Sequence, residues 1–314
     1  MTQVSQPHIA FFGECMIELS GEPLRKGFGG DTLNTALYLA RLTAQAGLSV
    51  SYATGLGEDK LSQQLLLAWQ QEGIQTHLVE CFANKLPGLY MVETDATGER
   101  SFMYWRDSAA VKGYFATESA NKLEQAMMRD EVQYVYLSGI SLAILDNASK
   151  ERLIQELKGF ALSGGKVIFD NNFRPQLWNA EQARHWYGLL LPLVDIALIT
   201  EDDDQCVWGD EESVEQRCQR FGCREVVIKR GSEPCQIIRF DAAQPERSTV
   251  GAERVAHVVD TCAAGDSFAA GYLAGRLTGQ TPEASAALGH QLAATVIQYS
   301  GAIIPREAMA HLTQ

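Results

Sequence analysis

The chain has 314 residues, of which 46% are apolar and 21% are charged, as in an ordinary soluble globular protein. Its 26 basic and 39 acidic residues give a net charge of −13, which argues against nucleic acid or anionic lipid as the main partner, because both require a positive field. Seven cysteines without a C-x-x-C pair indicate neither a disulfide framework nor a zinc knuckle. With neither a basic leader nor a long apolar run, the chain is expected to be cytoplasmic and to bind no membrane.

Strand-like and helix-like segments alternate along the chain. Short apolar runs predict strands at residues 8–13, 49–54, 134–137, 166–170, 195–200 and 225–229. Apolar residues at helical spacing predict helices at 31–42, 60–72 and 150–162, and further helices that begin at 264 and 282. This alternation predicts an α/β fold, with a parallel sheet covered by helices on both faces and ligands at the carboxyl ends of its strands.

Residues 85–106 break the alternation with two β-type runs, 88–94 and 99–106, around a turn-like sequence at 95–98. Because strand side chains alternate, two sets are each expected to share one face of a strand: Tyr90 with Val92, and Phe102 with Tyr104 and Arg106. Such a hairpin could be a lid whose tyrosine and arginine bind hydroxyl groups and a carboxylate. The alternative is an edge hairpin with a solvated face.

A glycine-rich segment at residues 26–34 precedes and opens the first predicted helix. Its three glycines allow the main chain to approach a ligand closely, and Asp31, Thr32 and Asn34 add polar groups at the helix start. Thr32 breaks the G-x-G-x-x-G pattern of dinucleotide sites, and the chain has no P-loop sequence. From these residues alone, the segment is either a turn rich in helix caps or a sugar-binding loop.

The segment Asp260-Thr-Cys-Ala-Ala-Gly-Asp-Ser-Phe268 leads from a polar turn into a helix. The amides of residues 262–265 are expected to lie unpaired at the positive end of that helix, which favours anions such as phosphate. A carboxylate at such a site suggests that Asp266 takes a proton from an attacking hydroxyl group. The alternative is that Asp260 caps the helix and Asp266 only complements the helix dipole.

Four other segments follow predicted strands. Residues 139–143 approach the nucleophile elbow of hydrolases, but Ala143 replaces its last glycine, so this interpretation is disfavoured. Arg174 is a candidate anion contact, and a plain turn built around Pro175 is the alternative. The four acids at 201–204 could hold Mg²⁺ or merely charge a helix N-terminus. The glycine turn at 229–231 could admit a nucleotide.

These motifs, in this order, resemble those of one family. DTCAAGDSF at 260–268 resembles the C-terminal signature of the ribokinase-like (pfkB) carbohydrate kinases, and FGGDTLNTALYLARL at 28–42 resembles their N-terminal signature. The resemblance extends from GECMIELS to GAIIPRE, over nearly the whole chain. It implies one ribokinase-like α/β domain over residues 1–314, with a central, mostly parallel sheet flanked by helices on both faces. It also implies a small β-rich lid, formed mainly by about 14–30 and 85–112.

The motifs GFGGDTLN, LPGLY, TGERSFMYWR, YLSGISLAIL and FDNNFRPQLW resemble the branch of this family that acts on 2-keto-3-deoxygluconate. This resemblance implies ATP-dependent phosphorylation of the C6 hydroxyl group of that sugar acid, with ATP and Mg²⁺ as cofactors. A kinase for another sugar, such as fructose or tagatose, and a non-catalytic sugar-acid sensor remain open alternatives. A homo-oligomer is also expected, because lid hairpins with exposed edges often pair.

The resemblance also implies a role for each matching residue. Asp266 is the implied general base, and the implied anion hole is Ala263, Ala264 and Gly265. The implied substrate contacts, besides Asp266, are Gly30, Asp31, Asn34, Tyr90, Tyr104, Arg106 and Arg174, and the two arginines are the main candidates for binding the carboxylate. The implied nucleotide contacts are Asn172, Lys229, Arg230 and Gly231, together with Ala263 and Gly265.

The chain departs from the family pattern in two places. Ala263 stands where the broad family usually has glycine, so the anion hole must tolerate a Cβ atom. Thr200 and Asp203 replace the two defined residues of the N-x-x-E magnesium motif, and for this reason no residue is predicted to bind the metal.

Overall fold

The computed structural model describes residues 7–94, 100–241 and 244–313, so the turn predicted at 95–98 lies outside the described residues. The strands are β1 (His8–Phe12), β2 (Met16–Ser20), β3 (Arg25–Gly29), β4 (Ser49–Gly57), β5 (Val79–Phe82), β6 (Gly88–Thr94), β7 (Arg100–Trp105), β8 (Tyr134–Ser138), β9 (Lys166–Asp170), β10 (Val194–Thr200), β11 (Glu225–Lys229), β12 (Cys235–Arg239) and β13 (Glu246–Val250). The helices are α1 (Asp31–Leu42), α2 (Lys60–Gln71), α3 (Lys122–Met128), α4 (Gly139–Ala143), α5 (Asn147–Leu162), α6 (Ala180–Leu190), α7 (Glu201–Trp208), α8 (Val214–Phe221), α9 (Ala264–Leu277) and α10 (Pro282–Val296). In the part of the chain that the structure describes, no helix is long and apolar enough to cross a membrane.

Nine strands form the central sheet, in the order β13-β12-β11-β10-β9-β8-β1-β4-β5. All neighbouring strands from β11 to β5 are parallel. At the other edge, β12 pairs antiparallel with β11, and β13 pairs antiparallel with β12. One apolar core under α1, α9 and α10 covers one face of the sheet, and a second core under α3, α5 and α6 covers the other. The predicted α/β class, with a mostly parallel sheet between two helical layers, is confirmed.

A separate four-stranded sheet has the order β3-β2-β6-β7. The predicted hairpin is its β6–β7 pair, in which Tyr90 lies opposite Tyr104 and Val92 lies opposite Phe102. The parallel pairing of β2 with β6, from Met16 and Gly88 onward, joins this hairpin to the N-terminal segment. This face of the small sheet carries an aromatic cluster, with 6.1 Å between the ring centroids of Tyr90 and Tyr104.

Helix α9, which begins within the DTCAAGDSF segment, packs very close to α10. A Cβ atom on Gly271 of α9 would lie 2.6 Å from the Cα atom of Gly289 in α10, so the two backbones touch. Tyr272, the next residue, and Arg276, about one turn further on, both donate hydrogen bonds to the buried carboxylate of Glu225 at the start of β11. These contacts fix α9 against both α10 and the sheet.

Several element boundaries differ from the predicted ones for identifiable reasons. α5 begins at Asn147 rather than at 150, because the Asp146 side chain accepts a hydrogen bond of 2.7 Å from Ser149 N and so caps the helix earlier. β4 continues past residue 54 to Gly57, because glycine lets the strand pass close to other backbone: a Cβ atom on Gly55 would lie 2.5 Å from Ala110 O.

Candidate active site

Polar side chains from four elements converge at the carboxyl edge of the central sheet. Asp31, the first residue of α1, accepts a hydrogen bond of 2.7 Å from Asn172 Nδ2, beyond the end of β9, and another from the Ser138 side chain at the end of β8. Burial raises the pKa of Asp31 above its usual value, and these donors oppose that rise. Asp31 is therefore a carboxylate held in place by the sheet edge.

Asp266 lies in the first turn of α9 and is bound to the glycine-rich segment. Asn34 Nδ2 donates a hydrogen bond of 2.8 Å to Asp266 Oδ2, and the Thr35 hydroxyl group donates at 3.3 Å to the main-chain oxygen of Asp266. Burial, followed by the nearby charges of Asp31 and Asp170, raises the pKa of Asp266 to about 7. A carboxyl group with this pKa can accept and release a proton near neutral pH.

The turn before α9 is tighter than the sequence predicts. Cys262 N donates at 3.0 Å to Asp260 Oδ1, and Ala264 N donates at 3.2 Å to Thr261 O. The prediction that all four amides of residues 262–265 lie unpaired is therefore wrong for Cys262 and Ala264. Within the described residues, the amides of Ala263 and Gly265 have no acceptor, so the predicted anion hole keeps two free donors.

Ala263 has a backbone conformation that glycine adopts without strain. Its φ of 57° and ψ of 18° lie in the left-handed region, and Ala263 is also the residue that caps α9. Asp260 is not the helix cap, because its two carboxylate oxygens bind Cys262 N and Gly301 N, the latter at 2.6 Å. Asp260 instead joins the turn to the loop after α10.

A cavity of about 660 Å³ adjoins the start of α9. Its lining includes Lys229, Arg230 and Gly231 together with Ala264 and Gly265, so the structure brings these predicted residues together. The lining is mostly apolar, and it also includes Cys235, Val255, Phe268, Ala293 and Ile297. The volume and the apolar interior suit a nucleoside, with the polar end at the helix start.

Asn172, predicted to contact the nucleotide, does not line this cavity. Its side-chain amide is used by Asp31, so the structure places it on the side of the glycine-rich segment. Asp170, two residues earlier, was not singled out from the sequence, yet its Oδ2 atom lies 2.6 Å from Lys229 Nζ. The only sequence signal was an acid at the predicted end of a strand.

Two predicted substrate residues on the small sheet have acidic partners that the sequence did not reveal. Tyr90 OH donates a hydrogen bond to Glu18 Oε2, and Arg106 donates a hydrogen bond to Glu14 Oε2. Glu14 is buried, and burial raises the pKa of its carboxyl group although Arg106 opposes this. Tyr104 lies between these pairs, half exposed, with the Arg106 guanidinium 5.9 Å from the centre of its ring.

Gly30 and Arg174 are the two remaining predicted substrate contacts. Gly30 lies directly before α1, where any Cβ atom would overlap Glu14 O, so only glycine fits there. Arg174 stands apart from the small sheet: it pairs with Asp203 at 3.5 Å and its side chain is 47% exposed. Among the described residues, no group of three His, Cys, Asp or Glu side chains is arranged to hold a metal ion.

The disfavoured hydrolase interpretation is also inconsistent with the structure. Ser141 is fully buried, and its hydroxyl group donates at 2.7 Å to Phe12 O. Ser141 therefore joins α4 to the end of β1 and is not accessible to a substrate.

Comparison with known proteins agrees with this architecture. The profile of the pfkB family carbohydrate kinases matches residues 6–309. The chain is 49% identical over 306 residues to the 2-dehydro-3-deoxygluconokinase of Escherichia coli strain K12, and 48% identical over 307 residues to that of Dickeya dadantii strain 3937; each match covers 96% of this chain and 98% of the relative. The crystal structure of a PfkB protein from Polaromonas sp. JS666 has a TM-score of 0.80 at 24% identity, covering 97% of this chain and 99% of that one. The chain therefore belongs to the pfkB family of carbohydrate kinases.

Proposed function

We propose that this chain is a 2-dehydro-3-deoxygluconokinase: it transfers the terminal phosphoryl group of ATP to the C6 hydroxyl group of 2-keto-3-deoxygluconate, another name for the same sugar acid. Relatives of that name share nearly half of its residues over almost its full length. The observation that carries the proposal is the position of Asp266, which binds Asn34 of the glycine-rich segment and adjoins the free amides at the start of α9.

Asp266 is the proposed general base. Its Oδ2 atom is bound by Asn34, which leaves Oδ1 to accept the proton of the attacking C6 hydroxyl group. A base with a pKa of about 7 is half ionised at neutral pH and returns its proton readily after the transfer. General-base catalysis of this kind typically contributes about 10² to 10⁴ to the rate.

The amides of Ala263 and Gly265 are the proposed anion hole. In phosphoryl transfer, negative charge is spread over the oxygens of the migrating group, so fixed donors aimed at those oxygens lower the barrier. The positive end of α9 adds to this field, because α9 is a full helix of 14 residues. Ala264 belongs to the turn but contributes no free amide.

The cavity between β11 and α9 is the proposed ATP site, with the adenine ring in the apolar part and the phosphates toward Gly265. Mg²⁺ commonly reaches kinase sites bound mainly to phosphates and water, with one or two carboxylates. Asp203 fits such an indirect role, because it is half-buried near this edge and its Oδ2 atom already accepts from Phe173 N at 3.2 Å. Bound magnesium would supply positive charge to the phosphate oxygens.

The small sheet is the proposed lid over the sugar acid, within one kinase domain. Gly30, Asp31 and Asn34 lie at the start of α1, and Tyr90 and Tyr104 lie on the aromatic face of the small sheet. Arg106 is the proposed carboxylate contact, since a guanidinium binds a carboxylate in a planar fork. The Tyr90 hydroxyl group donates its hydrogen bond to Glu18, so its oxygen is better placed to accept from a sugar hydroxyl group than to bind the carboxylate.

The other face of the lid supports the proposed homo-oligomer. Met91 of β6 lies opposite Met103 of β7 on that face, and the Trp105 side chain of β7 is 56% exposed. An apolar sheet face of this kind is typical of a subunit contact.

All seven cysteines are free, which favours the reducing cytoplasm as the place of action.

A coupled assay of ADP release with 2-keto-3-deoxygluconate, fructose and tagatose tests the proposed function. We expect the sugar acid to have the highest kcat/KM by at least about tenfold, with the product phosphorylated at C6. A preference for fructose or tagatose would assign the chain to another sugar. Binding of the sugar acid without any sugar-dependent ADP release would make it a non-catalytic sensor.

A further inference from the structure

Asp170 and Lys229 form a buried ion pair at the carboxyl edge of the central sheet. Asp170 ends β9 and Lys229 ends β11, so their side chains meet across the intervening strand β10, with 2.6 Å between Nζ and Oδ2. The Lys229 side chain is only 10% exposed, and the Asp170 side chain is only 6% exposed. Because removing two charges from water is costly, a buried pair is weak support for stability, and its position beside a ligand cavity points to a role in the site.

The lysine of this pair also lies against the start of α9. Lys229 Nζ lies 3.7 Å from the position that a Cβ atom on Gly265 would take, and among the described residues outside this helix turn no other atom comes within 4 Å of it. Both residues line the 660 Å³ cavity, and Gly265 N has no acceptor among the described residues. An anion drawn to this end of the helix would therefore meet an amide donor and an ammonium group together.

We propose that Lys229 contacts the phosphoryl group during transfer, and that Asp170 is the positioning residue that holds Lys229 against the start of α9. This proposal rests on the proposed kinase reaction and deepens it. Asp170 is itself fixed, because its Oδ1 atom accepts from Asn172 N at 3.3 Å and its Oδ2 atom accepts from Tyr136 OH at 3.4 Å. A rigid acceptor of this kind prevents the long lysine side chain from sampling other rotamers.

The same pair influences the proposed base. The titratable groups that face Asp266 come from α1, β8, β9 and β11, and they are Asp31, Tyr38, Tyr136, Asp170 and Lys229. The charge of Asp170 raises the pKa of Asp266, whereas the charge of Lys229 lowers it. Removing one charge or the other must therefore shift the acid limb of the kcat/KM profile in opposite directions. A purely structural defect would not shift the acid limbs of the two variants in opposite directions.

The first experiment measures kcat, KM and the pH profile in Asp170→Asn, Lys229→Met and Lys229→Arg. We expect Lys229→Met to lower kcat by about 10² to 10³ and to move the acid limb up by about one pH unit. Asp170→Asn should lower kcat by about tenfold and move the acid limb down by a similar amount. Lys229→Arg keeps the charge and should retain a larger part of the rate than Lys229→Met.

The second experiment does not require turnover of any sugar. Calorimetry with Mg²⁺ compares the affinity for ADP with that for AMP-PNP, which carries the third phosphate. The ratio of AMP-PNP to ADP affinity should fall by about tenfold in Lys229→Met and by a smaller factor in Asp170→Asn. Lys166→Met is the matched control, because it breaks the ion pair with Asp195 at the opposite end of β9 and should leave this ratio unchanged.

The results separate this proposal from the proposed function. If the wild-type protein binds both nucleotides but does not phosphorylate the sugar acid, the proposed function fails, and the affinity ratio still decides the role of Lys229. An unchanged ratio in Lys229→Met, with a melting temperature equal to that of the wild type, overturns the phosphoryl contact. Acid limbs that move in the same direction in Asp170→Asn and Lys229→Met overturn the assignment of the pair.

Discussion

Asn34 Nδ2 donates a hydrogen bond of 2.8 Å to Asp266 Oδ2, and this contact joins the first turn of α1 to the first turn of α9. The two residues are 232 positions apart in the chain. Asn34 belongs to the proposed sugar-binding segment, and Asp266 is the proposed base beside the phosphate site. This contact therefore fixes the acceptor side of the site relative to the donor side, to within the length of one hydrogen bond.

Replacing Asp266 with asparagine should abolish most turnover. The amide cannot take the proton of the hydroxyl group, so kcat is expected to fall by about 10² to 10⁴, with little change in ATP affinity. Steady-state kinetics and nucleotide titration measure the two quantities separately. Near-normal turnover in Asp266→Asn would exclude the base role.

The same substitution should stabilise the protein in a pH-dependent manner. The folded state raises the pKa of Asp266 from 3.8 to about 7, so the ionised carboxylate destabilises the fold fully above pH 7. This cost shrinks as the pH falls toward 3.8, where the group is protonated in both states. Asp266→Asn should therefore raise the melting temperature clearly at pH 8, corresponding to roughly 1–3 kcal/mol, and much less at pH 5. An equal gain at both pH values would contradict the raised pKa.

Replacing Asn34 with alanine should move the pH profile toward higher pH. The hydrogen bond from Asn34 lowers the pKa of Asp266, so its loss raises that pKa, by about one unit for a bond to a charged group. The activity lost at pH 7 should be partly recovered at pH 9. Thr35→Val is the matched control, because the Thr35 hydroxyl group binds the main-chain oxygen of Asp266 and not its carboxylate. The two variants should therefore have different acid limbs.

The elements that sequence patterns predicted best are those with strong local signals. α1, β9 and β11 have the predicted ends, because apolar residues at helical spacing and short apolar runs define them locally. The roles of Glu14 and Asp170 were not predictable in this way. Glu14 meets its partner Arg106 from 92 positions away, and only the folded chain brings them together. Single-residue patterns contain no information on such distant pairs.

The backbone conformation of Ala263 was likewise not predictable from the sequence. The sequence showed only that this residue departs from the family pattern, and the structure shows that it adopts a left-handed conformation. Ala263→Gly should therefore stabilise the protein by about 0.5–1 kcal/mol, since glycine has no Cβ penalty in this region. Ala264→Gly is the control: residue 264 is the first residue of α9, and glycine there should be neutral or destabilising by up to about 1 kcal/mol. Chemical denaturation measures both, and equal effects would contradict the argument.

The two candidate arginines should differ in their contribution to carboxylate binding. Arg106 is mostly buried at the end of β7 beside Tyr104, whereas Arg174 is half exposed and paired with Asp203. Arg106→Lys should therefore raise KM for the sugar acid by about tenfold or more, since an ammonium group cannot form the planar fork. Arg174→Lys should have a smaller effect. KM values for the sugar acid and for a neutral sugar test this, and an equal increase for both substrates in Arg106→Lys would remove its assignment to the carboxylate.

The close contact of α9 with α10 should be essential to the site, because the proposed base Asp266 and the proposed anion hole lie at the start of α9. In Gly271→Ala, the added methyl group would lie 2.6 Å from Gly289 Cα, so the helices must separate. We expect a loss of about 1–3 kcal/mol in the free energy of unfolding and a fall in kcat that is larger than the change in KM for ATP. Gly159→Ala is the matched control, because Gly159 lies on the exposed face of α5 with nothing within 4 Å of a new Cβ atom. It should stabilise the protein by about 0.5–1 kcal/mol and leave kcat unchanged. If Gly271→Ala were as stable and as active as Gly159→Ala, the α9–α10 contact would not be what positions the catalytic helix.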